Sequence, residues 1–383
     1  MNILVVCHFG LYQDLSFSFV HNQIREYAAL GHRVRVIIPN GVGKRGRNGG
    51  RFEKPLHISE VDGVELFDLR YVTLSRYGEK HFNSASAIAA IHLQWNHIFE
   101  DFQPDVIHAH TLGFDSQIGA WLKEKWECPL VVTTHGSDTF IPFADGRCKE
   151  LKRYADAADV VVCVSSLLRR TLEECGATTK LDVILNGFNI KYSASDKPKD
   201  PAYIMQVGSL IPRKKTDITI RAIAMLKEKN TGIRFMTIGS GVERANLEKL
   251  CAELNVLDSV TFAGQLSNQE VHEKLSEATF FVMPSVREGF GIVYLEAMAA
   301  GCVVIGTEGE GIADVIVNGE NGFLVPADNP ERIASLIDRC LQHPEKAYRI
   351  AMEGRKSAIG LTWKRNAEEY TKLFKQLKEK STH

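Results

Sequence analysis

The chain has 383 residues, 44% of them hydrophobic and 24% charged, with a formal net charge of −1. That length exceeds what one hydrophobic core usually serves and accommodates two domains. Twenty basic and 22 acidic residues precede Gly187, and 26 and 25 follow it; neither half carries the positive field expected of a nucleic-acid partner.

The opening run "NILVVC" has no basic residues before it and is too short for a signal peptide, so it is expected to be a buried strand. No stretch approaches the ~20 apolar residues of a membrane span. Further strands are expected at "RVRVII", "DVIHAH", "PLVVTTH" and "DVVVCVS". Their Val and Ile runs lack strict alternation, which fits strands covered on both faces of a parallel sheet. Helices are expected at "SAIAAIHLQWNHIFEDF" and "DSQIGAWLKEKW". The basic, glycine-rich piece Gly41 to Lys54 interrupts this half. It reads as a solvated loop or as a surface for an anionic acceptor or lipid headgroups. The eight cysteines are scattered, without Cys-x-x-Cys or zinc spacing, and are expected to be reduced thiols of a cytoplasmic protein.

Residues Asn186 to Pro201 are polar, contain two prolines and read as a linker. The pattern then restarts with "YIMQV", "IRFMTI", "SVTFAG", "FFVMPS" and "CVVIGT". The helix in "SNQEVHEKLSEA" opens on a Ser267-x-x-Glu270 capping box. The expected fold is α/β, with two Rossmann-like doubly wound domains, residues 1–188 and 189–362, facing an interdomain cleft that is the default ligand site. The last segment, residues 363–383, reads as a helix packing back across the junction.

The segment "SVREGFGIVYLEAMAAG", Ser285 to Gly301, places Glu288 at a glycine-rich turn after a strand and Glu296 in the second turn of the following helix. Even a wholly helical path would put the two carboxylates about 12 Å apart. A glycosidase pair needs ~5–9.5 Å, so this spacing suits reading hydroxyls at two places on an extended ligand. Other motifs carry less. Gly239-x-Gly241 lacks the third glycine and the acidic residue of a dinucleotide site and reads as a tight turn. His108 and His110 share one side of a strand, but no third metal ligand accompanies them. No Asp-x-Asp occurs.

The pieces "ALGHRVRVIIP", "PDVIHAH", "THGSD", "VILNGF", "VGSLIPRKKTDITIRAI", "FMTIGSGVERANLEKL", "VTFAGQLSNQEV", "MPSVREGFG" and "GIADVIVNGENGFLVPADN" occur in this order. Together with E-G-F-G-x-x-x-x-E they resemble the retaining glycosyltransferases of family 4, whose fold is GT-B. The resemblance implies that Glu288 and the backbone of Gly289, Phe290 and Gly291 hold the donor sugar. It implies that Glu296 grips the ribose and that Gln265 lies by the nucleobase. Lys214 would neutralise the donor pyrophosphate and His135 would stand near the reacting sugar. The family arginine that accompanies this lysine is replaced by Ser209, and Arg213 is either its substitute or a surface residue. The family's glycine turn after the first strand is reduced to Gly10. Asp138 either orients His135 or the acceptor, or caps a turn, and His110 is a further acceptor-side candidate.

The resemblance therefore implies an enzyme that moves a sugar, with retention, from a UDP- or GDP-sugar to a hydroxyl of a glycan or lipid-linked acceptor. It would need no cofactor and no metal. The segment "FVHNQI" resembles enzymes of bacterial surface-polysaccharide synthesis, which implies a cytoplasmic protein in peripheral contact with the inner membrane face. The alternatives are a nucleotide-sugar-binding protein without transfer activity and a GT-B epimerase.

Overall fold

A computed structural model describes residues 1–8, 18–42, 54–73, 80–189, 199–229 and 232–381. Gly10, most of the Gly41–Lys54 piece and most of the linker lie outside the described residues. The chain divides into two compact units. One comprises Met1–Gly187 with Trp363–His383, the other Phe188–Thr362.

The first unit is built on strands β1 (Asn2–Val6), β2 (Arg33–Val42), β3 (Leu56–Val61), β4 (Val64–Val72), β5 (Val106–Ala109), β6 (Leu130–Thr134), β7 (Val160–Cys163) and β8 (Lys180–Val183). Its helices are α1 (Ser18–Ala29), α2 (Lys80–Leu93), α3 (Trp95–Phe99), α4 (Phe114–Trp126), α5 (Ser137–Ala144), α6 (Cys148–Asp156) and α7 (Ser166–Glu174). The sheet order is β3-β4-β2-β1-β5-β6-β7-β8. All pairs are parallel except the β3–β4 hairpin. Ile3, Leu4, Val5 and Val6 are all 0% exposed, so both faces of this strand are covered, as its unbroken apolar run requires. Each such side chain contributes about 1.5–3 kcal/mol through burial.

The second unit has strands β9 (Asp200–Val207), β10 (Arg234–Ile238), β11 (Val260–Gly264), β12 (Ala278–Val282), β13 (Val303–Thr307) and β14 (Phe323–Val325). Its helices are α8 (Thr216–Lys227), α9 (Arg244–Glu253), α10 (Asn268–Glu277), α11 (Ile292–Ala299), α12 (Pro330–Gln342) and α13 (Pro344–Ile359). Six parallel strands run in the order β11-β10-β9-β12-β13-β14. That is the doubly wound order, and the winding reverses between β9 and β12. Both bonds of the Ser267 capping box are formed at the start of α10.

The last helix, α14 (Trp363–Ser381), belongs to the first unit. It buries Tyr370 and Phe374 in the same core as Tyr27 of α1 and the strand valines. Tyr370 shares a 2.8 Å hydroxyl hydrogen bond with Thr133. The Asn366 amide donates to the Leu185 carbonyl and accepts from Gln23.

Three features differ from the sequence reading. Cys148 and Cys175 form a disulfide, because α6 and the end of α7 bring their Cα atoms within 4.7 Å; the other six cysteines are free and buried. The single helix expected around residues 86–102 is interrupted at Gln94, which separates α2 from α3. The β3–β4 hairpin was not expected, although its Asp62-Gly63 turn, both residues at positive φ, carries the dipeptide signal of a tight hairpin.

Candidate active site

Open α/β sheets bind ligands at the carboxyl ends of their strands, where the winding reverses. In the second unit that place lies beyond β9 and β12, and Lys214 and Glu288 meet there. After β9 the chain passes Gly208 and Ser209 into a short 3-10 turn, Pro212–Lys214, ahead of α8. The side chain of Gln206 anchors this turn. Its amide donates to the Lys214 carbonyl at 3.0 Å and to Thr216 Oγ1 at 2.9 Å, and its carbonyl accepts from Thr219. The turn is also backed by the neighbouring strand ends. Gly208 N–H donates to Ile238, and Gly239 N–H donates to Gly264. A Cβ on Gly239 would lie 2.0 Å from the Gly208 carbonyl oxygen. The Gly239-x-Gly241 pair is therefore a close backbone approach that supports the Lys214 turn.

Glu288 arrives from the other side of the reversal. The Val286 N–H donates to the Arg213 carbonyl at 2.8 Å, which ties the two loops together. The fully buried Tyr294 of α11 donates its hydroxyl to the Met283 carbonyl at 2.5 Å and shares a 3.0 Å bond with Ser285. Gly291 stands at φ 79°, and a Cβ there would meet the Tyr294 ring at 2.6 Å, so this turn admits only glycine. Phe290 is buried, and a Cβ on Gly311 would lie 2.3 Å from the Gly289 carbonyl oxygen, so this turn packs closely against the Gly311 backbone.

The Lys214 ammonium and the Glu288 Oε2 form a charged hydrogen bond, with the two side chains 11% and 13% exposed. Arg213 Nη1 lies 3.7 Å from the same oxygen and donates to the Arg287 carbonyl at 3.4 Å. The adjacent cations thus converge on one carboxylate, while Ser209 is exposed. Glu310, which the sequence reading passed over, accepts the Glu288 N–H at 2.8 Å. Burial raises its carboxyl above the usual range, and the Glu288 charge adds to the rise. Gln265 donates to Ser240 Oγ at 3.1 Å beside the Gly239 turn.

Glu296 lies in the second turn of α11, half-buried. It lines a small cavity with Phe188, Asn189, His272, Ser276 and Ala299. Desolvation pushes its carboxyl up to about 7.

In the first unit the winding reverses between β1 and β5, and histidines crowd there. His8 donates its N–H to Asp115, and its Nδ1 pairs with the same carboxylate at 2.8 Å. His108 is core: its Nε2 pairs with Thr133 at 2.8 Å and its Nδ1 with Tyr27 at 3.4 Å. His110 Nδ1 and His135 Nε2 share a 3.2 Å hydrogen bond, and their rings stack 5.4 Å apart at 10°. Phe19 packs 4.7 Å from the His135 ring. Desolvation lowers His108 to about 3, His135 to about 4, and His110 well below its ordinary value. All three are neutral at pH 7. A nitrogen that binds its proton only near pH 4 is a poor general base at neutral pH. Asp138 is a loop clamp. One oxygen accepts from His135 and Gly136 N–H, and the other accepts from Leu112 N–H.

Two Rossmann-like units, each with its candidate residues at the reversal of its sheet, define the class: a two-domain α/β protein of GT-B architecture. The model for glycosyltransferase family 4 matches residues 18–192, and that for glycosyl transferases group 1 matches residues 189–357. Among relatives, an uncharacterized glycosyltransferase of Methanocaldococcus jannaschii is 28% identical, covering 84% of this chain and 90% of its own. A second from the same organism is 30% identical over 71% of this chain and 75% of its own. The sucrose-phosphate synthase of Thermosynechococcus elongatus superposes with a TM-score of 0.80 at 21% identity, covering 98% and 99% of the two chains. Anabaena HepE in complex with UDP and glucose gives 0.75 at 19%, covering 98% and 100%. The chain belongs to the family 4 glycosyltransferases. Among the described residues no helix is long and apolar enough to cross a membrane.

Proposed function

We propose that this glycosyltransferase transfers a hexose, with retention, from a UDP- or GDP-sugar to a hydroxyl of a glycan or lipid-linked acceptor in surface-polysaccharide or glycolipid synthesis, at the inner membrane face. The observation that carries the reading is the convergence of Lys214, Arg213 and Glu288 at the sheet reversal of the second unit. Charge growing on the leaving diphosphate needs fixed cations and N–H dipoles. Lys214, Arg213 and the start of α11 supply them. Glu288 and the Gly289–Gly291 backbone hold the sugar hydroxyls, and Glu296 holds the ribose. The acceptor oxygen attacks from the face the diphosphate leaves, and the leaving phosphate oxygen takes the acceptor's proton. His135, neutral and clamped, positions rather than deprotonates. No divalent metal takes part.

UDP is the first probe, because the HepE neighbour was solved with UDP and glucose. The test is a panel of UDP- and GDP-sugars screened for thermal stabilisation. It is followed by donor turnover with and without acceptor, in chelator, with the anomeric configuration of the product read by proton NMR. Glu296→Ala should weaken donor binding, while Glu288→Ala should mainly lower turnover. An inverted product refutes retention. Donor binding without consumption favours a binding protein, and sugar isomerisation without acceptor favours an epimerase. Activity lost in chelator and restored by magnesium or manganese refutes the metal-free reading.

A further inference from the structure

The carboxylate assigned to the donor sugar is the group that the diphosphate-binding lysine already holds. Lys214 and Glu288 pair while both are largely shielded from water, and Arg213 approaches the same Glu288 oxygen. The Glu288 backbone is fixed at both ends: its N–H by Glu310, its carbonyl by the Gly311 N–H at 3.3 Å. The side chain is the part left to move. A diphosphate bound at Lys214 and Arg213 would meet Glu288 as a like charge, with the Glu310 carboxyl close behind, and like charges repel strongly where water is excluded.

We infer that Glu288 is the resident counter-ion of the diphosphate subsite and is exchanged for it. The donor's phosphates take over Lys214 and Arg213, and the freed carboxylate turns to the sugar hydroxyls. This rests on the reading of the site as one for a nucleotide sugar. It adds a selectivity to that reading. A sugar nucleotide gives the displaced carboxylate new partners, whereas the nucleoside diphosphate left after transfer does not. Glu288 then competes for Lys214 and helps expel the product. One residue both reads the donor and clears the site.

The experiment is calorimetric titration of the full chain with UDP and with UDP-glucose, repeated with GDP and GDP-mannose if UDP gives no heat. Parent, Glu288→Gln, Glu288→Ala and Lys214→Ala are compared, with melting curves to establish folding. The parent should bind the sugar nucleotide more tightly than the diphosphate. Both Glu288 variants should bind the diphosphate at least fivefold more tightly than the parent, with a steeper salt dependence, because the subsite has lost one negative charge. Their preference for the sugar nucleotide should shrink and their turnover fall. Lys214→Ala should bind the diphosphate at least tenfold more weakly. Diphosphate affinity unchanged or weakened in both Glu288 variants, with Lys214→Ala still impaired, overturns the exchange and leaves the donor site standing. Unimpaired binding in Lys214→Ala, or no binding of any nucleotide by the parent, overturns both.

Discussion

Glu296 offers the sharpest test, because its proposed function and its stability effect pull in opposite directions. Desolvation raises its carboxyl to about 7, whereas an unfolded chain holds a glutamate near 4.3. A folded carboxyl raised this way keeps its proton between those values, so folding loses stability as pH rises from 4.3 to 7 and levels off above. At pH 8 the ionised carboxylate costs about 4 kcal/mol, and at pH 5 only about 1 kcal/mol. Glutamine mimics the protonated acid at every pH. Glu296→Gln should therefore stabilise the second unit by about 3 kcal/mol more at pH 8 than at pH 5, while weakening UDP binding at both. Urea denaturation of parent and variant at the two pH values measures the first, and calorimetry the second. A variant equally stable relative to the parent at both pH values would show that Glu296 is not desolvated, and the argument would fail. A gain in stability with undiminished UDP binding would separate the burial from the ribose role.

Tyr294→Phe strips the hydroxyl that joins Met283 and Ser285 and should cost about 1–3 kcal/mol through those buried unpaired groups. Turnover should fall with it, because the Glu288 loop is no longer tied to α11; an unchanged melting temperature and rate would refute this. The neutral histidines His108 and His135 are protonated near 6.5 when unfolded but only near 3 and 4 when folded. Stability is then complete above pH 6.5 and falls as pH drops, by about 2 kcal/mol for His135 at pH 5. Melting at pH 7 and pH 5 should show the loss, and it should shrink in His135→Phe. Arg213→Ala should lower turnover tenfold or more, and adding Ser209→Arg should recover part of it. Near-parent turnover would make Arg213 a surface residue.

The strands that carry the site were legible because buried parallel strands announce themselves as short, nearly unbroken apolar runs. The glycine turn around Glu288 and the capping box at Ser267 were legible because turns and caps are local chemistry. Edge elements were not. β3 has no buried residue, and the buried residues of β4 are interrupted by partly exposed ones, so they lack the continuous apolar signal, and only Asp62-Gly63 marks them. The disulfide escaped notice because Cys148 and Cys175 are 27 residues apart with no motif between them. Glu310 and Gln206 escaped for a related reason. Glu310 lies 22 residues from the backbone it holds, and Gln206 sits inside a strand, where its amide reads as an ordinary interior polar group. Spacing could not show that Lys214 and Glu288 share a hydrogen bond across 74 residues.

The two units share a sheet logic but not a chemistry, and the difference follows from what stands at each reversal. In the first unit, burial keeps His108, His110 and His135 neutral, with repulsion from neighbouring imidazoles adding to it for His108 and His110, and Asp138 spends both oxygens on backbone N–H groups. Under the proposed function, that end would suit a neutral, hydroxyl-rich molecule held by shape and hydrogen bonds. In the second unit two cations meet one carboxylate, and a second carboxylate stands behind it. The exchange proposed for Glu288 would let such a cluster answer an incoming anion by changing partners. The division of labour in this enzyme is therefore electrostatic before it is topological: the neutral end suits an acceptor, and the ionic end suits a diphosphate leaving group.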